Sequence, residues 1–290
     1  NPLIYGLSED WKKTGVYKRD PGGHNLGIEF GRLTQMVVDN IADQPTPKGY
    51  LKAFDPLTGE DKWVVEIPHY WNGGVLGTEG GLVFQGDALG MFSAYDKETG
   101  EALWQFDTYT SMLAPPITYE IDGVQYVSIL TGTGGGDLFA GEPLPPVKEP
   151  ASLKYSNYGR MLVFKVGGTG ELPVPTVRDR AIPMQANLVA SNDDIAHGER
   201  KYNDYCGLCH GLAARSGGSI PDLRRMSEGT HTAFNQIVQD GLLAANGMAS
   251  FADVVSPEDT TKIHQYIKAR AEQDRLAAAG EVEVAQLTWQ

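Results

Sequence analysis

The chain has 290 residues, 41% hydrophobic and 21% charged, the make-up of a globular protein of about two domains. Its formal net charge of −13 argues against nucleic acid and anionic membrane surfaces, which both need a basic face. No run approaches the roughly 18 apolar residues of a membrane span, no charged and then apolar leader opens the chain, and two cysteines cannot build a disulfide scaffold.

Residues 1–166 read as strands and turns. Gly81–Phe84, Gln125–Leu130 and Met161–Val166 are β-branched or aromatic runs bounded by glycines, the signature of strands, and no helical period of useful length appears. Residues 167–190 are punctuated by Gly167, Gly168, Gly170, Pro173, Pro175 and Pro183 and read as an extended connector. From residue 191 the pattern turns helical. Ile195, Gly198, Tyr202 and Tyr205 form one stripe. Phe234, Ile237 and Val238 form a second, which stops at Gly241 as a C′ glycine. A third helix opens at Ser256-Pro257-Glu258-Asp259, with Ser as N-cap and Pro at N1, and carries Ile263, Tyr266 and Ile267. The Ala-rich tail from 272 has no assignment. Residues 191–290 carry a net −5 and residues 1–190 a net −8, so neither part hides a basic binding face.

Cys206-Gly207-Leu208-Cys209-His210 is a C-x-x-C-H run, the attachment signature of a c-type haem. Two thiols one helical turn apart reach the two vinyl groups of a single macrocycle, and the adjacent imidazole meets the iron. A redox dithiol would not need His210, and a zinc site would need two further ligands; no other cysteine exists, and His231 and His264 lack the spacing. For the opposite axial position, a thioether raises the potential and suits electron transfer. Met248 sits in Asn246-Gly247-Met248-Ala249-Ser250-Phe251, where Gly247 permits a close approach of the backbone. Met226, in a charged stretch after Arg224-Arg225, reads as core filling.

Residues 191–271 resemble a class I cytochrome c domain in the order of their parts: a helix before Cys206, the haem motif, the loop Ile220-Pro221-Asp222-Leu223, Gly-Met-x-x-Phe, and a final Ile-x-x-Tyr-Ile helix. The resemblance implies haem c on Cys206 and Cys209, iron between His210 and Met248, and Pro221 presenting its carbonyl to His210. Ala249 stands where that family usually has proline.

Ala53-Phe54-Asp55-Pro56-Leu57-Thr58-Gly59-Glu60-Asp61-Lys62-Trp63 recurs 41 residues later as Ala94 to Trp104, with Ala, Asp, Thr-Gly, Glu and Trp in register. A strand-rich repeat of that length is a propeller blade. Asp and Gly make the tight turn, and the tryptophan covers the neighbouring blade. These elements resemble the tryptophan-docking motifs of the pyrroloquinoline-quinone (PQQ) dehydrogenases. Residues 49–136 carry that likeness, including Trp71-Asn72-Gly73-Gly74 and Leu82-Val83-Phe84-Gln85-Gly86-Asp87. With a cytochrome c domain behind it, the whole resembles the C-terminal part of a soluble quinohaemoprotein alcohol dehydrogenase.

The resemblance implies an all-β partial propeller (1–166), the last blades of a ring of about eight, a linker (167–190) and an all-α cytochrome c domain with a C-terminal tail (191–290). It implies PQQ on the propeller axis, with Asn72 donating to a quinone oxygen and Trp71 walling the cavity. Turn and packing roles are the alternative for these two residues. Thr133 and Gly136 stand where the family often has tryptophan, which leaves the cavity more open there. The family's catalytic aspartate, its calcium or lanthanide ligands, its vicinal disulfide and the tryptophan that stacks on the quinone lie upstream of these residues, so no catalytic residue is expected in this chain. Two or three blades leave apolar faces bare. The chain is therefore expected to be a cleavage product or a subunit, with another polypeptide carrying the earlier blades. His24, His69, His197, His231 and His264 read as surface or hydrogen-bonded residues, with a cavity-lining position near Trp71 as the alternative for His69, and Asp55, Asp87 and Asp96 as turn formers.

The expected function is part of a periplasmic PQQ-dependent oxidation of alcohols or aldehydes, in which electrons leave through haem c to an external cytochrome or copper protein. A second reading makes the chain an electron-transfer subunit with catalysis wholly on a partner. A propeller haem enzyme of the nitrite reductase kind is a third, disfavoured by the duplicated docking motif.

Overall fold

The computed structural model describes residues 9–18, 48–133, 148–156, 158–185, 188–216 and 220–280. They fall into two compact units. One is built on Gln44–Asp179 together with Gly217–Ile220. The other comprises Asn1–Asp43, Arg180–Ser216 and Pro221–Gln290. No helix among the described residues is long and apolar enough to cross a membrane.

A short helix α1 (Glu9–Thr14) precedes the strands, where the sequence reading expected none. Six residues cannot display a helical period; Lys12 and Lys13 in its last turn complement the helix dipole, and Trp11 meets Tyr17 edge to face.

The first unit is a run of antiparallel sheets. Strands β1 (Gly49–Phe54) and β2 (Asp61–Ile67) form a hairpin. Strands β3 (Asn72–Gly77), β4 (Leu82–Asp87), β5 (Met91–Asp96) and β6 (Ala102–Asp107) form a four-stranded meander. Strands β7 (Ile117–Ile121), β8 (Val124–Thr131) and β9 (Arg160–Lys165) form a three-stranded sheet.

The two sequence repeats fold alike down to the register. Ala53 pairs with Trp63 and Phe54 with Asp61; Ala94 pairs with Trp104 and Tyr95 with Ala102, with the same irregularity after each alanine. In each turn the aspartate carbonyl accepts from the glycine N–H, Asp55 from Gly59 at 2.7 Å and Asp96 from Gly100 at 2.9 Å. Both glycines take positive φ, a conformation that only glycine adopts without penalty.

Alternation along the strands packs consecutive sheets face to face. Leu51, Ile67 and Tyr95 join the hairpin to the meander. Phe84, Phe92, Met112 and Ile129, with Leu162 and Phe164 against them, join the meander to the third sheet. The two outer faces of this stack are apolar and exposed. Tyr50, Phe54 and Val64 lie on one; Ile117, Ile121, Val124, Leu130, Met161 and Val163, which share a face by register, lie on the other.

A second unexpected helix, α2 (Ala151–Lys154), is too short to be read from periodicity. Tertiary bonds hold it, from Ala151 N–H to the Ala88 carbonyl at 2.9 Å and from Ser152 N–H to Ser111 Oγ at 3.1 Å. The described residues of 167–190 contain neither helix nor strand.

The helical unit contains α3 (Asn192–Tyr205), α4 (Gly207–His210), α5 (Glu228–Val238) and α6 (Pro257–Ala278). Ser191, Ser227 and Ser256 cap three of them by accepting from the N–H of Asp194, Thr230 and Asp259, satisfying donors that a helix start leaves open. Ile195, Tyr202, Phe234, Val238, Ile263, Tyr266 and Ile267 form the core. Helices α3 and α6 touch at Gly198, where a Cβ would collide with the Lys262 carbonyl.

One expectation needs correction, and one unassigned segment is settled in part. Helix α5 is capped by Gln239, so Gly241 lies two residues past the cap and not at C′. Helix α6 runs seven residues beyond 271, because Arg270 and Asp274 are buried with it and interrupt the apolar stripe. Residues 281–290 of the tail lie outside the described residues.

Candidate functional site

The haem motif begins where α3 ends. Cys206 is the C-cap of α3, its N–H bonded to the Tyr202 carbonyl at 2.7 Å, and α4 turns His210 back over it, N–H to the Cys206 carbonyl at 2.9 Å. Cys206 is partly buried against the helical core, while Cys209 is exposed. Burial, with the nearness of Cys209 and Asp204 adding to it, pushes the Cys206 thiol up to about 12, so it is a neutral thiol and not a reactive thiolate. Both sulfurs are free.

His210 is buried, with Nδ1 3.0 Å from the Pro221 carbonyl. A carbonyl only accepts, so Nδ1 carries the proton and Nε2 keeps its lone pair, the tautomer a metal-ligating histidine needs. Burial lowers the pKa of His210, favouring the same neutral ring. Among the described residues no group of three or more His, Cys, Asp or Glu side chains is placed to hold a metal ion, so a zinc reading of Cys206 and Cys209 gains no ligands. The donor set fits haem c: two thiols, one neutral imidazole with an oriented second nitrogen, and an apolar wall beneath Cys206.

Met226 is 7% exposed and belongs to the core around Phe234 and Tyr266, as the sequence reading expects. Met248 lies outside that core, partly buried, directly after Gly247 at φ +95°. Its N–H bonds to the Leu243 carbonyl at 3.2 Å.

A buried ionic cluster adjoins the Pro221 loop. Asp274 of α6 binds Arg215 at 2.8 Å and Arg224 at 2.7 Å, and also Arg270. Asp222 binds Arg224 at 2.6 Å and also Arg225. Sequence reasoning missed this cluster. Its members are up to 59 positions apart, and no local pattern joins them.

Trp71 and Asn72 stand at the start of β3. Asn72 Nδ2 donates to the His69 carbonyl at 2.9 Å, and the Trp71 N–H lies 3.0 Å from His69 Nδ1. With its nitrogen anchored in this way, Asn72 turns Oδ1 the other way, buried and with no hydrogen-bond partner among the described residues. Nδ2 keeps one hydrogen for the donation to a quinone oxygen that the sequence reading expects, and Oδ1 adds an acceptor. An orphaned buried acceptor at this position fits a polar cofactor edge.

Asp87, paired with Asn72 in register, is pushed up to about 6 by burial. Its Oδ1 accepts from the Met91 N–H at 2.8 Å, a turn-forming role. Thr133 is buried at the end of β8 and lines an open groove of about 450 Å³ with Leu113, Ala114 and Arg160. Gly136 and His24 lie outside the described residues.

A stack of propeller blades in one unit and a haem-attachment motif in a helical one define a redox protein of the quinoprotein and cytochrome class. Residues 65–127 match the glucose/ethanol/alcohol dehydrogenase β-propeller domain of the PQQ family. Residues 193–267 match the family described as cytochrome c oxidase, cbb3-type, subunit III. The chain is 40% identical over 269 residues to quinohemoprotein alcohol dehydrogenase ADH IIB of Pseudomonas putida, covering 91% of this chain and 38% of that protein. It is 33% identical to a 1-butanol dehydrogenase (cytochrome c) of Thauera butanivorans, over 93% of this chain and 37% of that protein. Among solved structures, quinohemoprotein alcohol dehydrogenase ADHIIG from Pseudomonas putida HK5 superposes with a TM-score of 0.69 at 36% identity, covering 84% of this chain and 34% of that one. The enzyme from Comamonas testosteroni gives 0.64 at 31%, covering 79% and 32%.

The chain belongs to the quinohaemoprotein alcohol dehydrogenases, an oxidoreductase family that joins a PQQ propeller to a cytochrome c domain. It spans a little over a third of the length of the relatives it matches.

Proposed function

We propose that this chain supplies quinone-facing blades and the electron-exit cytochrome of a periplasmic PQQ-dependent dehydrogenase that oxidises alcohols or aldehydes. Cys206 and Cys209 hold haem c through thioethers. His210 and Met248 would ligate its iron, and the Pro221 carbonyl would fix the His210 ring. Asn72 and Trp71 contact the quinone. A calcium or lanthanide ion would accompany the quinone, on ligands from outside this chain. When bound, PQQ and haem c would supply the two-electron and one-electron redox chemistry that links substrate oxidation to an external cytochrome or copper protein.

The observation that carries the reading is the bond from His210 Nδ1 to the Pro221 carbonyl at 3.0 Å, which leaves Nε2 for iron one residue after two free thiols. The bare faces of the sheet stack support the reading that further blades cover them. An exposed surface carrying Ile117, Ile121, Leu130 and Met161 is what a neighbouring blade covers, and a polypeptide bearing the remaining blades is the occupant.

The test uses the native enzyme. Its haem-stained peptide should contain residues 206–210, and adding alcohol should reduce the haem in the presence of PQQ. A colourless preparation with no added mass on that peptide would overturn the reading. Asn72→Ala with unchanged quinone retention and turnover would favour the purely electron-transferring alternative.

A further inference from the structure

We propose that His69 is a positioning residue for the quinone-facing segment, locking Trp71 and Asn72 in place through a single neutral tautomer of its ring. The inference rests on the reading of Asn72 as a quinone contact.

His69 has no exposed surface. Its Nδ1 lies 3.0 Å from the Trp71 N–H and 3.3 Å from the Trp71 carbonyl. An amide N–H can only donate. A proton on Nδ1 would face it hydrogen to hydrogen at the shorter of the two distances. Nδ1 is therefore the acceptor, and the ring proton sits on Nε2. Burial lowers the pKa of His69, which keeps the ring in this neutral form.

The same residue acts through its backbone. The His69 carbonyl accepts from Asn72 Nδ2 at 2.9 Å, so one histidine ties down both residues that follow Tyr70. Tyr70 stacks on the ring at 4.5 Å. Strand β1 closes the other side: a Cβ on Gly49 would collide with both Asn72 Nδ2 and the His69 carbonyl. Only glycine lets the strand pass over that bond. The amide of Asn72 is thereby held in one orientation, with Oδ1 turned away.

The arrangement carries an internal penalty that marks it as more than packing. Placing the proton on Nε2 leaves that N–H buried with no partner among the described residues, so its desolvation goes uncompensated. An apolar side chain would fill the space without it. What an apolar residue cannot supply is the acceptor for the Trp71 N–H.

Two substitutions separate these roles. In His69→Asn the amide oxygen falls near the place of Nδ1 and still accepts from Trp71. In His69→Leu no acceptor remains. In the holoenzyme, His69→Leu is expected to raise the rate of PQQ loss about ten- to a hundredfold and to speed hydrogen exchange at the Trp71 amide about tenfold or more. His69→Asn should restore both to within a few fold of the parent. Parent-like quinone retention and Trp71 protection in His69→Leu overturn the proposal, as does a His69→Asn variant no better than His69→Leu. Asn72→Ala is measured in parallel. If it leaves quinone retention unchanged, the reading of Asn72 as a contact falls and takes the functional part of this proposal with it, while Trp71 exchange still reports whether His69 orders the segment.

Discussion

The indole of Trp63 lies on Gly100, the glycine that closes the second docking turn, and its Nε1 donates to the Lys97 carbonyl at 2.9 Å. A Cβ on Gly100 would stand 2.8 Å from two indole carbons. The tryptophan of one repeat is thus seated on the turn of the next.

Gly59 provides an internal control for this contact. It has the same positive φ, +74° against +76°, but nothing within 4 Å of where its Cβ would be. Gly59→Ala should cost about 1–2 kcal/mol, the strain of a left-handed backbone alone. Gly100→Ala should cost about 1–3 kcal/mol more, for displacing the indole. Denaturant unfolding followed by tryptophan fluorescence measures both, and equal losses would mean that Trp63 does not depend on that seat.

The two methionines after the haem motif should part company in the holoprotein. Met248→Ala is expected to remove the thioether–iron absorption and to lower the haem potential, on the order of a tenth of a volt within the ≈ 0.8 V that axial ligands span. Met226→Leu conserves volume in the core and should change stability by less than about 1.5 kcal/mol, with the spectrum unaltered. Redox titration of both variants decides the assignment, and a reversal of the two results would transfer the ligand role to Met226.

What the sequence disclosed was local. Asp96 and Gly100 sit in one turn, Ser256 and Asp259 in one cap, Cys206 and His210 in one turn of helix, so each pattern lies within a few residues and could be read directly. His69 was read as an ordinary hydrogen-bonded histidine, because the orphaned nitrogen and the crossing of Gly49 exist only once the sheets are assembled. The last turns of α6 stayed without an assignment for a related reason. Arg270 and Asp274 look like a solvated end by composition, yet they are buried because Arg215 and Arg224 meet them from elsewhere in the chain. The helices α1 and α2 are shorter than any window in which a period can show.

The Asp274 cluster should set the acid limit of the helical unit. Burial alone would raise this carboxyl, but the guanidiniums of Arg270, Arg215 and Arg224 outweigh it and hold Asp274 down at about 2. Because the folded pKa lies below the unfolded value of about 3.9, its contribution is complete above pH 4 and is lost as pH falls from there towards 2, about 2 kcal/mol in all. Asp274→Ala leaves three buried guanidiniums without their shared partner and should cost about 3–5 kcal/mol at neutral pH. Unfolding midpoints of parent and variant across pH 2–7 test both statements, and a variant as stable as the parent at pH 7 would refute the role of the cluster.

A separate and milder window belongs to a pair of histidines between α5 and α6. His231 Nδ1 lies 2.8 Å from His264 Nε2, with the rings stacked, and Phe234 lies flat on His264 at 4.3 Å. A contact between two ring nitrogens needs one donor and one acceptor, so it exists only while at least one ring is neutral. Burial, then the charges of Lys268 and His231, push His264 down to about 4; burial and Lys268 also lower His231. For His264 the folded pKa lies below the unfolded value of about 6.5. The unfolded chain takes up its proton first as pH falls, and stability declines between about 6.5 and 4, where the Asp274 carboxylate is still fully ionised. Part of the pair is in solvent, so the decline should be about 1–2 kcal/mol, less than the shift alone would give. His264→Gln keeps a hydrogen-bonding side chain with no proton to gain. It should flatten the stability profile from pH 6.5 to 4 while preserving the steeper fall below 4. A profile in which the upper slope survives in His264→Gln would assign that slope to other groups.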